Sequence, residues 1–186
     1  MSEETSVGLT RRQLIGASIA GAAMLGNAGV SAAARGGELS PEQQLLTLEA
    51  IKQLKGRYFM CLDLKDWPGL RKVFTDDAIV NVRGARKVSQ PGSVQNDPPI
   101  HGADAFVNYA RERLASIVSA HYGHMPVIDI ISEHEASGVW AMEDWLYGAT
   151  GTLHGQGHYH ETYKKIDGRW LIHTLRITRL HVTSTL

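Results

Sequence analysis

The feature that most constrains the fold is a change in the spacing of apolar residues along the chain. Before about residue 118 most apolar residues recur at helical spacing, whereas after Pro126 they alternate with polar residues, as in β-strands. Asp167 and Gly168 are typical of a tight hairpin turn. Because helices come first and a meander of strands follows, the chain is predicted to adopt an α+β fold. The alternating segments are 126–133, 137–148, 155–168 and 169–183.

Helix signals define the first half of the domain. Ser40, Pro41 and Gln43 form a helix start, and apolar residues keep helical spacing to about residue 63. Asp66 is a plausible cap for a short second helix, and a third helix is predicted over about 103–118.

The remaining segments complete the predicted architecture. The stretch TDDAIVNVRG alternates and predicts a strand, and residues 83–99, with several prolines and small polar residues, predict a long loop typical of a lid or rim. We therefore expect a curved, mixed or antiparallel sheet wrapped around the long N-terminal helix and enclosing a pocket.

Residues 1–34 have the pattern of an export signal. Arg11 and Arg12 precede an uncharged Ala/Gly-rich run from Leu14 to Val30, and small residues follow at 31–34. This pattern resembles a twin-arginine signal and predicts a periplasmic or secreted protein. A membrane anchor is the alternative, but the run is short for a span and rich in glycine. No stable anchor is expected after cleavage, and residues 35–186 are predicted to form the folded domain.

The composition argues against several partners and frameworks. Lys plus Arg equals Asp plus Glu, at 19 each, which argues against nucleic acid and anionic membrane surfaces as partners. The single cysteine, Cys61, excludes an internal disulfide and a thiolate zinc cluster.

His121 and His124 raise the main functional question. They lie three residues apart, where Gly123 and Pro126 end any helix, so the pair is expected at a junction between helix and strand. A metal site would need a third ligand, for which His158 and His160 are the nearest candidates. We predict no metal site, which leaves acid/base catalysis or an ordinary hydrogen-bonding role for each histidine.

Tyr58 and Asp63 supply the partners that an acid/base histidine needs. They lie five residues apart near the end of the long helix. An aspartate can hold an imidazole in one tautomer, and a tyrosine can donate a hydrogen bond to a carbonyl or a departing hydroxyl. Such a set needs no cofactor, and none is predicted.

Arg176 and Arg179, in the last strand, point to opposite faces, so at most one of them faces the pocket. An arginine there could bind a substrate carboxylate or enolate, or pair with Glu161 or Asp144. Apolar residues on both faces of this strand suggest that the outer sheet face is covered by a second subunit. Aromatic residues alternate along the strands, and one or two could line the pocket, with Trp140 and Tyr159 as the candidates.

These segments together resemble a SnoaL-like domain of the nuclear transport factor 2-like superfamily. The resemblance covers residues 41–183 and rests on the order of RYFMCLDLKDWPGLRKVFTDDAIV, HGADAFVNYARERL, HYGHMPVIDI, AMEDW, GQGHYHETYKKIDGRWLI and RITRL. It implies a cone-shaped fold, usually dimeric, with a deep pocket.

The superfamily includes scytalone dehydratase, bile acid 7α-dehydratase, ketosteroid isomerases, polyketide cyclases and non-catalytic members. Tyr58 and Asp63 resemble the dehydratase branch, and His121 matches the family's histidine, which implies that His121 is the base and that Asp63 supports it. His124 takes a neighbouring position, where it is expected to bind substrate or only to shape the turn. Arg176 or Arg179 matches a late arginine of the bile acid enzyme. The resemblance implies a cofactor-independent lyase or isomerase acting on a hydrophobic, ring-containing carbonyl or hydroxy compound. The alternative is a non-catalytic module that binds a small hydrophobic molecule.

Overall fold

The computed structural model describes residues 39–82 and 98–185. The elements, in chain order, are helix α1 Pro41–Asp63, helix α2 Trp67–Arg71, strand β1 Phe74–Asn81, strand β2 Ile100–His101, helix α3 Ala103–Leu114, and strands β3 Val118–Ile130, β4 Glu135–Gly148, β5 Gly151–Ile166 and β6 Arg169–Ser184. The predicted export signal and most of the predicted 83–99 loop lie outside the described residues.

The strands form one six-stranded sheet in the order β2-β1-β6-β5-β4-β3. Strands β3 to β6 make an antiparallel meander, and β1 pairs in parallel with β6, so the sheet is mixed. The sheet is curved and open, and the long helix α1 packs against it with an apolar core between them. The predicted α+β architecture is therefore confirmed.

Helix α1 begins where the sequence predicts because its first turn is capped on both sides. The backbone N–H of Gln43 donates to Ser40 Oγ at 3.1 Å, and the N–H of Ser40 donates to Gln43 Oε1 at 2.8 Å. This reciprocal capping box satisfies two donors that a helix start otherwise leaves free. The helix then buries one stripe of side chains against the sheet: Ile51, Leu54, Lys55, Tyr58 and Leu62.

The hairpin between β5 and β6 also forms where it was predicted. Asp167 and Gly168 have φ of 50° and 74°, as a turn with two left-handed central residues requires. Because this turn sets the pairing of Ile166 with Arg169, it also sets the starting register of the two longest strands.

The segment that holds His121 and His124 differs from the prediction. Helix α3 ends at Leu114, and β3 already begins at Val118, so both histidines lie within a strand and not at a junction. Strand β4 extends to Gly148 and pairs with the start of β3, and this pairing outweighs local propensity. Pro126, which lacks an N–H, lies at the register shift between His124 and Val127.

None of the helices in residues 39–82 and 98–185 is long and apolar enough to cross a bilayer.

Candidate active site

Asp63 and His121 meet at the inner face of the sheet, where the last residue of α1 packs against β3. Nδ1 of His121 lies 2.6 Å from Oδ1 of Asp63, and the backbone N–H of His121 donates to Oδ2 at 2.9 Å. The hydroxyl of Ser119 donates to Oδ1 at 2.8 Å. The carboxylate accepts three hydrogen bonds from one strand, which fixes the orientation of both side chains.

The same contacts keep Asp63 ionised. Burial by itself would raise the pKa of this carboxyl group, but the hydrogen bonds and the nearby imidazole of His121, together with Ser119, hold the pKa below its ordinary value. An ionised carboxylate can only accept, so Nδ1 of His121 is the nitrogen that donates to Asp63, and Nε2 is the ring nitrogen left for other partners.

Tyr58 lies on the buried stripe of α1, five residues before Asp63. Its ring makes edge contacts with Phe59, Phe74 and Tyr159, at centroid distances of 5.4, 5.9 and 6.2 Å. Burial, and then the negative charges of Glu161, Asp144 and Asp63, raise the pKa of Tyr58 well above its ordinary value. The side chain is therefore a neutral phenol, which can donate a hydrogen bond.

Tyr159 contributes a second buried phenol from the centre of β5. Its side chain is fully buried, and its hydroxyl has no hydrogen-bond partner within the described part of the chain. Burial also raises the pKa of Tyr159 well above its ordinary value. A buried polar atom without a protein partner is uncommon, and such groups are satisfied in folded proteins by an ordered water or a ligand. Trp140, its cross-strand neighbour, instead donates its indole N–H to Tyr163 Oη at 2.8 Å.

Arg179 faces the interior and is paired with Asp144. Its two terminal nitrogens donate to the carboxylate of Asp144 at 2.8 and 2.6 Å, and the guanidinium and carboxylate groups are both almost fully buried. Asp144 is the cross-strand partner of His121, so the ion pair lies beside the imidazole. Gly155 makes room for it, because a Cβ there would lie 2.5 Å from Asp144 Oδ1.

His124 and Arg176 lie on the outer face of the sheet, and their placement does not support binding in the same site. His124 pairs with Ala141, its side chain is 53% exposed, and its nearest acidic partner is Glu143, with an N–O distance of 4.0 Å. Arg176 pairs with His160. The physical reason is the alternation of strands, which sends residues three apart to opposite faces. His158 lies on the outer face as well, opposite Ala141.

No group of three or more histidine, cysteine or acidic side chains within residues 39–82 and 98–185 could hold a metal ion.

The family model of the SnoaL-like domain matches residues 43–176. The chain belongs to the SnoaL-like family.

Solved structures of the same fold agree with this assignment. A candidate scytalone dehydratase from Novosphingobium aromaticivorans has 19% identity and a TM-score of 0.67, over 77% of this chain and 91% of that chain. Hexachlorocyclohexane dehydrochlorinase LinA type 3 from Novosphingobium barchaimii has 17% identity and a TM-score of 0.64, and the match covers 78% of this chain and 94% of that chain. A protein of unknown function from Mycobacterium tuberculosis has 23% identity and a TM-score of 0.61, and the match covers 77% of this chain and 78% of that chain. The SnoaL-like chain therefore has the nuclear transport factor 2-like fold.

The interior of this SnoaL-like domain also holds an ion pair that the sequence analysis missed. Lys55 and Glu161 are fully buried and bonded to each other, and Tyr163 Oη donates to the second oxygen of Glu161 at 2.6 Å. The ammonium group of Lys55 lies over the rings of Tyr159 and Tyr58, at 3.6 and 4.2 Å. Burial lowers the pKa of Lys55 to about 8, although Glu161 opposes the change. The sequence held one signal for this buried ion pair: Lys55 lies within the apolar stripe of the long helix.

Proposed function

We propose that this SnoaL-like protein is a cofactor-independent lyase or isomerase that begins by removing a proton next to a carbonyl group. The observation that carries the proposal is the hydrogen-bonded pair of Asp63 and His121, together with two buried phenols, Tyr58 and Tyr159, whose rings contact each other. Two structures of the same fold bear the names of a dehydratase and a dehydrochlorinase, and both names describe eliminations. Family membership supports the fold, and the geometry of these side chains supports the chemistry.

His121 is proposed as the general base. Because its Nδ1 is bonded to Asp63, Nε2 is the atom that takes the proton from the substrate carbon. Asp63 holds the ring in this tautomer and stabilises the imidazolium that forms, as the carboxylate does in other histidine–aspartate pairs. The imidazolium can then return the proton at another atom in an isomerisation, or give it to the departing hydroxyl in a dehydration, so that the C–O bond breaks and the hydroxyl leaves as water.

Tyr58 and Tyr159 are proposed as the hydrogen-bond donors to the developing enolate oxygen or to the leaving hydroxyl. Both remain neutral phenols because burial raises their pKa values. Neutral donors held in an interior that excludes water stabilise a developing negative charge more strongly than donors in water do.

The substrate is proposed to be a small, hydrophobic, ring-containing carbonyl or hydroxy compound. Beside the ammonium group of Lys55, the inner face around Tyr159 carries aromatic side chains, namely Tyr58, Phe59 and Trp140. The charge of Arg179 is already compensated by Asp144, so we assign Arg179 to holding Asp144 beside His121 and not to binding a substrate carboxylate.

The second candidate is a binding module without turnover, which the unpartnered hydroxyl of Tyr159 also fits. A panel of cyclic ketones and hydroxyketones in deuterated water separates the two. A substrate is expected to raise the melting temperature, because it binds the native state, and also to incorporate deuterium at the carbon next to the carbonyl. Stabilisation without exchange for every binding compound would reject the enzymatic function in favour of the module.

Tyr159→Phe tests whether the orphan hydroxyl contacts the ligand. The variant should lose about tenfold or more in kcat/KM, because a donor to the substrate oxygen is removed. The protein should be at least as stable as the original, because no protein hydrogen bond is lost. Enzyme kinetics and a thermal melt check this prediction. A fall in melting temperature with unchanged kinetics would assign Tyr159 to the core alone.

Export through the twin-arginine route and assembly through the outer sheet face remain proposals. Exposed apolar residues on that face support the assembly, among them Tyr122, Val127 and Tyr147. Light scattering of the purified protein would detect the oligomer, and a monomer at high concentration would reject it. Fractionation of cells that express the full chain tests export: the protein is expected in the periplasmic or secreted fraction, and recovery in the cytoplasm alone would reject export.

A further inference from the structure

The turn that ends α1 places a lysine where a glycine is usual. The N–H of Asp66 donates to the carbonyl of Cys61 at 2.9 Å, and the N–H of Lys65 donates to the carbonyl of Leu62 at 3.3 Å. This pair of bonds defines a Schellman motif, whose left-handed position glycine most often fills. Lys65 occupies that position with φ of 61°. A side chain there strains the backbone, and strain of this kind is often found where the side chain has a role.

The Lys65 side chain turns back toward the Asp63–His121 pair. Its Nζ donates to Ser119 Oγ at 2.7 Å and to the carbonyl oxygen of Leu62 at 3.2 Å. An ammonium group can only donate, so the hydroxyl of Ser119 accepts a hydrogen bond from Lys65 and donates one to Asp63 Oδ1 at 2.8 Å. Ser119 is itself buried in β3.

We propose that Lys65 and Ser119 are positioning residues that hold Asp63 ionised and in one orientation, so that Asp63 in turn orients His121. This inference rests on the proposed role of the Asp63–His121 pair. The lysine acts through Ser119, and neither residue is assigned a contact with substrate. We refer to Lys65 and Ser119 as the Asp63 clamp.

Lys65 is the cation that lies near Asp63 at the end of α1. His121 lies next to Asp63 on β3, and the buried ion pair of Asp144 and Arg179 lies beside His121 from β4 and β6. Tyr58 on α1 is a neutral phenol. Burial lowers the pKa of Lys65, and Asp63 opposes the change, which is the reciprocal sign of attraction between the two groups. Removing a cation near a carboxylate raises the pKa of that carboxyl group.

Lys65→Gly distinguishes the proposed positioning role of Lys65 from a role that is limited to ending helix α1. Glycine suits the left-handed position, so this variant should melt at the same temperature as the original protein or higher. It removes the ammonium group nevertheless. A lysine that serves only the helix end would leave Asp63 unaffected when glycine replaces it.

The experiment is a titration of the Asp63 carboxyl carbon by NMR in the full chain with ¹³C-labelled aspartate, in which Asp63→Asn identifies the resonance. Lys65→Gly and Ser119→Ala should each raise the pKa of Asp63 by about half a unit to one unit. Lys65→Arg should keep most of the original value, and Lys52→Met, which removes an exposed lysine of α1, should change nothing.

An unchanged Asp63 titration in Lys65→Gly would overturn the clamp, whether or not the protein is an enzyme. If turnover is found, the acid limb of kcat/KM should move to higher pH in Lys65→Gly, because Asp63 must then lose its proton at higher pH. If no turnover is found but the pKa of Asp63 shifts in Lys65→Gly, the Asp63 clamp is supported and only the proposed enzymatic function is rejected.

Discussion

His121→Gln is expected to lower kcat by about a hundred- to ten-thousand-fold, which is the usual contribution of a general base. Glutamine can still donate a hydrogen bond to Asp63, so the carboxylate keeps a partner, but it cannot take a proton. The melting temperature should therefore stay within a few degrees of the original value. Steady-state kinetics with a compound from the deuterium screen, together with a thermal melt, provide the measurement.

His124→Gln is the matched control because it makes the same change three residues away on the same strand. His124 points to the outer face, so turnover should remain within about twofold of the original. An equal loss of turnover in His121→Gln and His124→Gln would show that His121 is not the general base. A large fall in the melting temperature of His121→Gln alone would make His121 a structural residue.

Lys55→Met is expected to lower the free energy of unfolding by about 3–5 kcal/mol, which is the typical cost of leaving one partner of a buried ion pair alone. The carboxylate of Glu161 would keep only the hydroxyl of Tyr163, in a site from which water is excluded. Urea denaturation followed by tryptophan fluorescence measures the loss.

Lys55→Met combined with Glu161→Gln is the control for this prediction. Glutamine is neutral and its carbonyl oxygen can still accept from Tyr163, so the double variant should recover most of the lost stability. Because the two residues touch, their effects should not add. A double variant as unstable as Lys55→Met would show that the loss comes from packing around the methylene chain and not from the unpaired charge.

Local signals were enough to predict helix α1 and the last hairpin. The capping box at Ser40 and Gln43 and the turn at Asp167 and Gly168 each depend on residues that are close in the chain. The helical spacing of the apolar stripe then places Tyr58 on the inner face, and α1 ends at Asp63. Family resemblance added the expectation that His121 joins them, and the structure brings Asp63 and His121 into contact.

Contacts between distant segments could not be predicted in the same way. Glu161 lies 106 positions from Lys55, and Arg179 lies 35 positions from Asp144. Each of these pairs depends on strand register, which is set by the turns and by the shifts within β3, β5 and β6. The sequence analysis named Asp144 and Glu161 as possible partners of an arginine in the last strand, but it could not choose between Arg176 and Arg179, because both faces of that strand carry apolar residues. It gave no role to Lys65 or Ser119.

By itself, the sequence determined the fold class and the long helix, because periodicity and capping act over a few residues. It also supplied the residues of the proposed acid/base pair as candidates. Only the tertiary structure decided that His121 faces Asp63 while His124 faces outward, and that Arg179 is neutralised by Asp144. Strand pairing made those decisions, because a side chain on a strand reaches one face or the other according to the register of its neighbours.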